Sequence, residues 1–85
     1  MTKRRQIERV QTGVRVEKRI LKVLKALAAQ HDMTLGDLLE GIVLHAFEGK
    51  SPFGPESLAF ITDMKRAFKL DLTAADSHLL SEEKQ

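Results

Sequence analysis

A change in the spacing of apolar residues constrains the fold of this chain more than any other feature of its sequence. Over residues 9–16 the side chains alternate, and one face of the alternation consists of Val10, Thr12, Val14 and Val16. A β-branched face that repeats every second residue is typical of a short strand. From Glu17 onward the apolar residues follow the period of a helix instead. We therefore predict a mostly α-helical chain with one short strand near its start.

Two amphipathic helices are predicted after the strand, at about residues 17–31 and 34–48. The apolar stripe of the first helix consists of Ile20, Val23, Leu24, Leu27 and Ala28. Thr34 is expected to cap the second helix through its hydroxyl, and Gly49 is expected to end it. The stripe of the second helix is broader and consists of Leu35, Leu38, Leu39, Ile42, Val43, Ala46 and Phe47. A stripe of that width is too apolar to face water, and a single short helix packed against it cannot cover it.

The remainder of the chain, residues 50–85, is predicted to form a helical C-terminal extension. A turn over residues 51–55 precedes a helix that begins at Pro55 and runs to about residue 69. Thr73 is a further candidate cap that opens a short helix toward Leu80. A length of 85 residues leaves room for one domain.

The predicted strand has no second strand in the chain to pair with. Its backbone N–H and C=O groups would then lack partners, and a second copy of the strand could supply them. We therefore expect an intertwined homodimer in which two copies form an antiparallel two-stranded ribbon. The core predicted for this dimer consists of Val10, Val14, Val16, Ile20, Leu24, Leu27, Leu38, Leu39, Ile42, Val43 and Phe47.

Positive charge is concentrated at the start of the chain. Residues 1–25 hold nine Lys or Arg and two Glu, whereas residues 26–85 hold five Lys or Arg and ten Asp or Glu. This asymmetry indicates a polyanionic partner for the N-terminal end. Charge alone leaves open the alternative of a solubilising tail.

The polar face of the predicted ribbon favours double-stranded DNA as that partner. A two-stranded ribbon fits the major groove of B-DNA, where the base edges can be distinguished. There Arg15 can bind O6 and N7 of guanine, and Gln11 can bind N6 and N7 of adenine. Gly13 has no side chain, so it would let the backbone approach the bases closely. The alternative for these three residues is an ordinary solvated face.

This order of a polar strand and two helices resembles the ribbon–helix–helix family of DNA-binding proteins, the Arc, MetJ and CopG type of repressor. The resemblance covers about residues 9–48 and depends on the strand, the two apolar stripes and the Thr34 cap. It implies that the ribbon of an intertwined dimer enters the major groove. The residues that would contact bases are Gln11, Gly13 and Arg15.

The resemblance also implies a phosphate site at the second helix, where the backbone amides of Thr34 and Leu35 would bind. Helix N-termini carry free N–H donors, which gives this role an independent physical basis. Two features depart from the family pattern: Gly13 occupies the middle of the three base-contacting positions, and residues 50–85 extend beyond the family core.

On this basis the chain divides into a flexible basic arm (1–8), a ribbon–helix–helix region for DNA binding and dimerisation (9–48), and the extension (50–85). The residues expected to contact phosphates are Lys3, Arg4, Arg5, Arg9, Lys18, Arg19, Thr34 and Leu35. Lys22 and Lys25 lie further along the first helix, where solvation is the expectation, and no role is assigned to them.

The function expected from these features is a sequence-specific transcriptional regulator, either a repressor or an autoregulator. The alternative is an antitoxin or another interaction module whose extension binds a partner protein. Leu58, Ile61, Met64 and Phe68 would then face that partner. They would pack on the dimer core if the extension is only structural, which we favour.

Enzyme chemistry has little support in the sequence, so we expect no catalytic residues. The chain has no cysteine, and its histidines, His31, His45 and His78, lie in three separate segments without metal-binding spacing. No metal and no cofactor are implied. No apolar run approaches the roughly 20 residues needed to cross a bilayer, and the basic start is not followed by an apolar segment. We therefore expect a cytoplasmic protein with no membrane partner.

Overall fold

Three α-helices of 13 residues form the body of the protein, whose computed structural model describes residues 4–82. The helices are α1 (Lys18–Gln30), α2 (Leu35–Phe47) and α3 (Pro55–Ala67), and a single 3-10 turn follows at Ala74–Asp76. Each of α1 and α2 lies one residue inside its predicted range at both ends, and α3 begins at the predicted Pro55. The positions of these helices are therefore as predicted.

The ends of the helices explain their bounds. Glu17 precedes α1, and its carboxylate accepts hydrogen bonds from the backbone N–H groups of Arg19 and Ile20, at 2.9 and 3.1 Å. At α2 the Thr34 hydroxyl accepts a hydrogen bond from the N–H of Asp37 at 3.1 Å, which confirms the predicted cap. Side-chain acceptors of this kind replace the partners that the first turn of a helix lacks.

Gly49 ends α2 in the left-handed conformation, with a φ of 69°. The N–H of Gly49 donates to Ala46, and the N–H of Lys50 donates to His45, which closes the last carbonyls of the helix. A residue with a side chain would be strained at this φ. The predicted end of α2 is therefore confirmed.

The predicted strand is wrong. Residues 4–16, which we call the N-terminal segment, contain no regular secondary structure, and no strand occurs anywhere in residues 4–82. The antiparallel ribbon, and with it the ribbon–helix–helix fold, is therefore not the fold of this chain. The physical reason is that a strand requires hydrogen bonds from a neighbouring strand, and this part of the chain has none. Val10 and Val14, placed in the core by the alternation, are 80% and 78% exposed.

The core of the protein is small and centres on α1. Leu27, at 1% exposure, packs with Ala28 and Leu38, and Val23 is buried as well. Partly buried side chains surround this cluster: Leu24, Met33, Ile42, Phe53, Phe60 and Ile61. Both α2 and α3 contact α1, so α1 lies between the other two helices.

The extension takes part in this core through α3, because Phe60 and Ile61 pack against the buried cluster. Leu58, one turn before Ile61 on α3, is about half exposed. After α3, the Asp76 carboxylate accepts a hydrogen bond from the backbone N–H of Thr73 at 2.8 Å and holds the 3-10 turn. The packing of α3 thus gives the extension a structural role.

The chain exposes more surface than a compact protein of its mass. Its accessible surface is 8007 Å², whereas a folded monomer of 9.6 kDa exposes about 5,100 Å². Its radius of gyration is 14.6 Å, and a compact domain of this length has a value of about 12 Å. Part of this excess belongs to the N-terminal segment, whose residues are all exposed, and part belongs to exposed apolar side chains such as Phe47.

Candidate nucleic-acid interface

A groove runs between the N-terminal segment and the helices beside it. The segment forms one wall, from Arg4 to Val16, and α1 contributes Leu21, Leu24 and Lys25 to the other. The first turns of α2 complete that wall with Thr34, Leu35, Gly36, Asp37, Leu39 and Glu40. We call this concavity the segment groove.

The segment groove brings together residues that lie far apart in the sequence and were expected to contact DNA. These residues are Arg4, Arg9, Gln11, Gly13, Thr34 and Leu35. Arg5, Arg15, Lys18 and Arg19 do not line it, and Lys3 lies outside the described residues. The predicted base-contacting residues are thus divided, because Gln11 and Gly13 line the groove and Arg15 does not.

The charge inside the segment groove is mixed. Arg4, Arg9 and Lys25 line it, and so do three acidic side chains, which are Glu8, Asp37 and Glu40. No role was expected for Lys25 from the sequence, because it lies further along the first helix than the expected phosphate contacts. Only the position of the segment beside α1 shows that this lysine lines the groove.

Arg9 attaches the N-terminal segment to α2. Its Nε and Nη2 atoms each donate a hydrogen bond of 2.9 Å to the carboxylate oxygens of Glu40. The hydrogen bond and the charge of Glu40 raise the pKa of Arg9, and the hydrogen bond from Arg9 lowers the pKa of Glu40. This two-point contact is the only ion pair between the segment and α2 among the described residues.

Arg15 points away from the groove toward the C-terminal end. Its Nε donates to Oε1 of Glu82 at 2.9 Å, and its Nη2 donates to Oε2 at 2.6 Å. Both side chains are largely exposed, at 84% and 71%. The two residues are separated by 67 positions, so no local pattern in the sequence could have indicated this contact.

Arg19 has a different environment from the other arginines because it is about two-thirds buried. It bonds the Glu17 carboxylate at 3.0 Å, the Asp71 carboxylate at 3.1 Å and the carbonyl of Lys69 at 2.9 Å. The hydrogen bond with Glu17 raises the pKa of Arg19. Arg19 therefore joins the start of α1 to the chain that follows α3.

Glu17 is held in its ionised form by this cluster. Its partial burial raises the pKa, but hydrogen bonds from the Arg19 side chain and from the backbone N–H groups of Ile20 and Arg19 outweigh that effect. The resulting pKa lies below the ordinary value for a glutamate. The cap of α1 is thus a charged carboxylate, which suits the positive end of a helix.

Exposed cationic side chains extend along α1 from Lys25, which lines the groove, to positions outside it. Along α1, Lys18, Lys22 and Lys25 lie on one exposed side, at the spacing of successive helical turns. The Nζ atom of Lys22 also lies 5.7 Å from the centre of the Phe68 ring. This lysine side of α1 continues the positive charge of the N-terminal segment.

A second concavity, of about 450 Å³, lies between α1, α3 and the chain over residues 70–80. Its lining is mainly apolar, and four of the lining residues were predicted to belong to the dimer core: Ile20, Leu24, Leu27 and Ile42. Lys65, Asp76 and His78 are the charged or titratable residues at this site. Because none of the lysines and arginines of residues 4–25 lines it, it is not the candidate interface.

Two further features are absent from residues 4–82. No group of three His, Asp or Glu side chains is arranged there to hold a metal ion. Over the same residues, no helix has the length and apolar character needed to cross a membrane.

Comparisons with known proteins give no assignment. No protein-family model, curated protein or solved structure matches the chain. What this protein does is therefore inferred from the charge, exposure and geometry of its own residues.

Proposed function

We propose that this protein is a homodimeric, DNA-binding regulator of transcription that contacts double-stranded DNA through its N-terminal segment and the lysine side of α1. The observation that carries the proposal is the exposure of seven cationic side chains between residues 4 and 25. They are Arg4, Arg5, Arg9, Arg15, Lys18, Lys22 and Lys25. Only one acidic residue of the same stretch, Glu8, is exposed.

Double-stranded DNA suits this arrangement for an electrostatic reason. Each phosphate that a cationic side chain neutralises releases condensed counterions, which drives binding. A segment without regular structure can follow the phosphates or enter a groove, as basic N-terminal arms do. Gln11 and Arg15 on the same segment supply the amide and guanidinium groups that distinguish adenine and guanine. The segment thus supports both general affinity and sequence preference.

The proposed dimer is supported by surface area. The chain exposes about 2,900 Å² more than a compact monomer of its mass, whereas a standard stable interface buries about 800 Å² per partner. Part of this exposed surface is apolar and belongs to one face of α2, which consists of Leu39, Val43, Leu44 and Phe47. Phe47 is 80% exposed. Burial of this face against a second copy would remove it from water and bring two basic regions onto one duplex.

The antitoxin alternative is less well supported. It requires an extension free to bind a partner, but Phe60 and Ile61 of α3 pack against the core. Removal of residues 50–85 is expected to unfold the protein for this reason. A truncated chain that still dimerises and binds DNA would favour a partner-binding extension instead.

Binding can be measured by the fluorescence anisotropy of a labelled random-sequence DNA duplex over a range of salt concentrations. If a dimer neutralises about 6–10 phosphates, its affinity falls about 10³–10⁵-fold between about 50 and 200 mM salt. Replacement of Arg4 and Arg5 by Gln should weaken binding to every sequence and flatten the salt dependence. The matched control replaces Lys50 and Arg66, two exposed cations of the C-terminal half, by Gln.

Sequence preference is tested by selection from random DNA. Arg15→Ala should reduce the preference for the selected site about tenfold or more, since one bidentate contact to guanine would be lost. A protein that binds no duplex at low salt would refute the proposed function. Equal losses on selected and random DNA for Arg15→Ala would refute base reading while leaving DNA binding intact.

A further inference from the structure

Arg9 and Arg15 of the N-terminal segment are already occupied by carboxylates. Arg9 donates two hydrogen bonds of 2.9 Å to Glu40, and Arg15 donates bonds of 2.9 and 2.6 Å to Glu82. In both pairs the Nε and Nη2 atoms of the guanidinium are used. The two glutamates come from opposite parts of the fold, since Glu40 belongs to α2 and Glu82 lies near the C-terminal end.

These contacts occupy a guanidinium edge that is suited to bidentate binding of DNA. Arginine binds phosphate, carboxylate and the guanine edge through two parallel hydrogen bonds. A guanidinium edge that is bonded to both oxygens of a glutamate cannot bind a nucleic acid in the same way. DNA must therefore displace the carboxylate before it can use this edge of the arginine, and the charge of the glutamate opposes the approach of a phosphate.

We propose that Glu40 and Glu82 are intramolecular competitors of DNA, and that they restrain the binding of the duplex by occupying Arg9 and Arg15. This proposal rests on the DNA-binding function proposed above and gives that site a regulation within the chain. Glu82 is the clearer case, because its pair with Arg15 is exposed and contributes nothing to the buried core. Glu40 has a second role, since its pair with Arg9 also attaches the segment to α2.

The geometry also indicates how large the restraint should be. Ion pairs between exposed side chains are weak, because water and salt screen them and two long side chains must be ordered. Loss of one such pair should raise the affinity for DNA by about two- to five-fold. A restraint of this size changes the fraction of the protein that is bound to DNA, but it does not prevent binding.

The test compares full-length wild-type protein with E82Q, E40Q and a control variant, E48Q. Glu48 is exposed and pairs with Lys50 at 3.0 Å, away from the N-terminal segment. All three variants remove one negative charge, so E48Q reports the effect of net charge alone. The probe is a fluorescein-labelled random-sequence DNA duplex at low salt, read by anisotropy. Circular dichroism verifies that each variant keeps its helices.

E82Q and E40Q should bind this duplex about two- to five-fold more tightly than E48Q. A double-mutant cycle then identifies the partner of Glu82. In an R15Q background, E82Q should bring no gain beyond that of E48Q, because the guanidinium that Glu82 occupies has been removed.

Two results would overturn this inference while the proposed function stands. One is an equal gain for E82Q and E48Q, which would assign the effect to net charge. The other is a full gain for E82Q in the R15Q background. If neither wild-type protein nor any variant binds the duplex, the proposed function itself fails, and the inference fails with it.

Discussion

The N-terminal segment and α1 are adjacent in the chain and both have regularly spaced apolar residues, but only α1 has the predicted structure. In a helix each N–H bonds to a carbonyl four residues earlier, so the backbone partners lie within the element. A strand has no such internal partners, and residues 4–16 meet no strand in the described part of the chain. Spacing alone therefore locates a helix, whereas it locates a strand only when a second strand is present.

The same contrast appears in the side chains of the two regions. Leu27 of α1 is 1% exposed, while Val10 and Val14 of the segment are among the most exposed apolar residues in residues 4–82. Apolar residues of α1 are buried in the core. Those of the segment are not, and this leaves its polar and cationic side chains accessible to a partner.

The largest effect expected from this contrast is on folding. Leu27→Ala should lower the free energy of unfolding by about 2–5 kcal/mol, because it opens a cavity in a small core. Val10→Ala should change it by no more than about 0.5 kcal/mol, since the side chain is exposed. Urea denaturation followed by circular dichroism measures both. A comparable loss for Val10→Ala would mean that the segment packs into the folded chain.

The second largest effect is expected on dimerisation, for which α2 rather than the N-terminal segment should form the interface. Phe47→Glu on α2 should weaken dimerisation by about 2 kcal/mol or more, as expected for a charge placed in the centre of an apolar interface. Val14→Glu is the matched change in the segment, with similar exposure, and should leave the dimer intact. A helix presents its face already ordered, so its burial costs less entropy than that of a segment without structure.

Analytical ultracentrifugation over a range of protein concentrations distinguishes these outcomes. Dissociation by Val14→Glu, with Phe47→Glu still dimeric, would move the interface from α2 to the segment. Monomeric wild-type protein would end the dimer proposal.

A smaller effect is expected at the cap of α2. Thr34→Ala removes the hydroxyl that accepts the N–H of Asp37, and should cost about 1 kcal/mol of unfolding free energy. Thr12→Ala makes the same chemical change in the segment, where no helix depends on the hydroxyl. Thermal denaturation of the two variants gives the comparison. Equal melting temperatures would show that the Thr34 hydroxyl does not stabilise α2.

The smallest effect concerns the ion pair that links the segment to α2. The hydrogen bond from Arg9 lowers the pKa of Glu40 below its ordinary value of 4.5. A carboxylate with a lowered pKa stabilises the folded state above the unfolded pKa, and the contribution is lost as the pH falls through the folded pKa. Wild-type protein should therefore lose more thermal stability than Glu40→Gln between neutral pH and the acid range. Parallel melting curves for the two proteins would contradict this linkage.

The sequence was informative about every element whose partners are local. The bounds of α1 and α2, the Thr34 cap and the left-handed Gly49 follow from side chains within a few residues of each helix end. Local patterns failed for the segment, because the backbone partners of a strand come from elsewhere. They also could not place Lys25 in the segment groove, which depends on the position of the segment beside α1.

For the candidate interface, the amino-acid order by itself determined which cations are concentrated near the start of the chain. Tertiary structure decided which of them are exposed and which are engaged: Arg19 is partly buried between Glu17 and Asp71, and Arg15 meets Glu82 across 67 positions. Charge is a property of composition, which the sequence states directly. The availability of a charge depends on contacts between distant residues, and only folding brings those residues together.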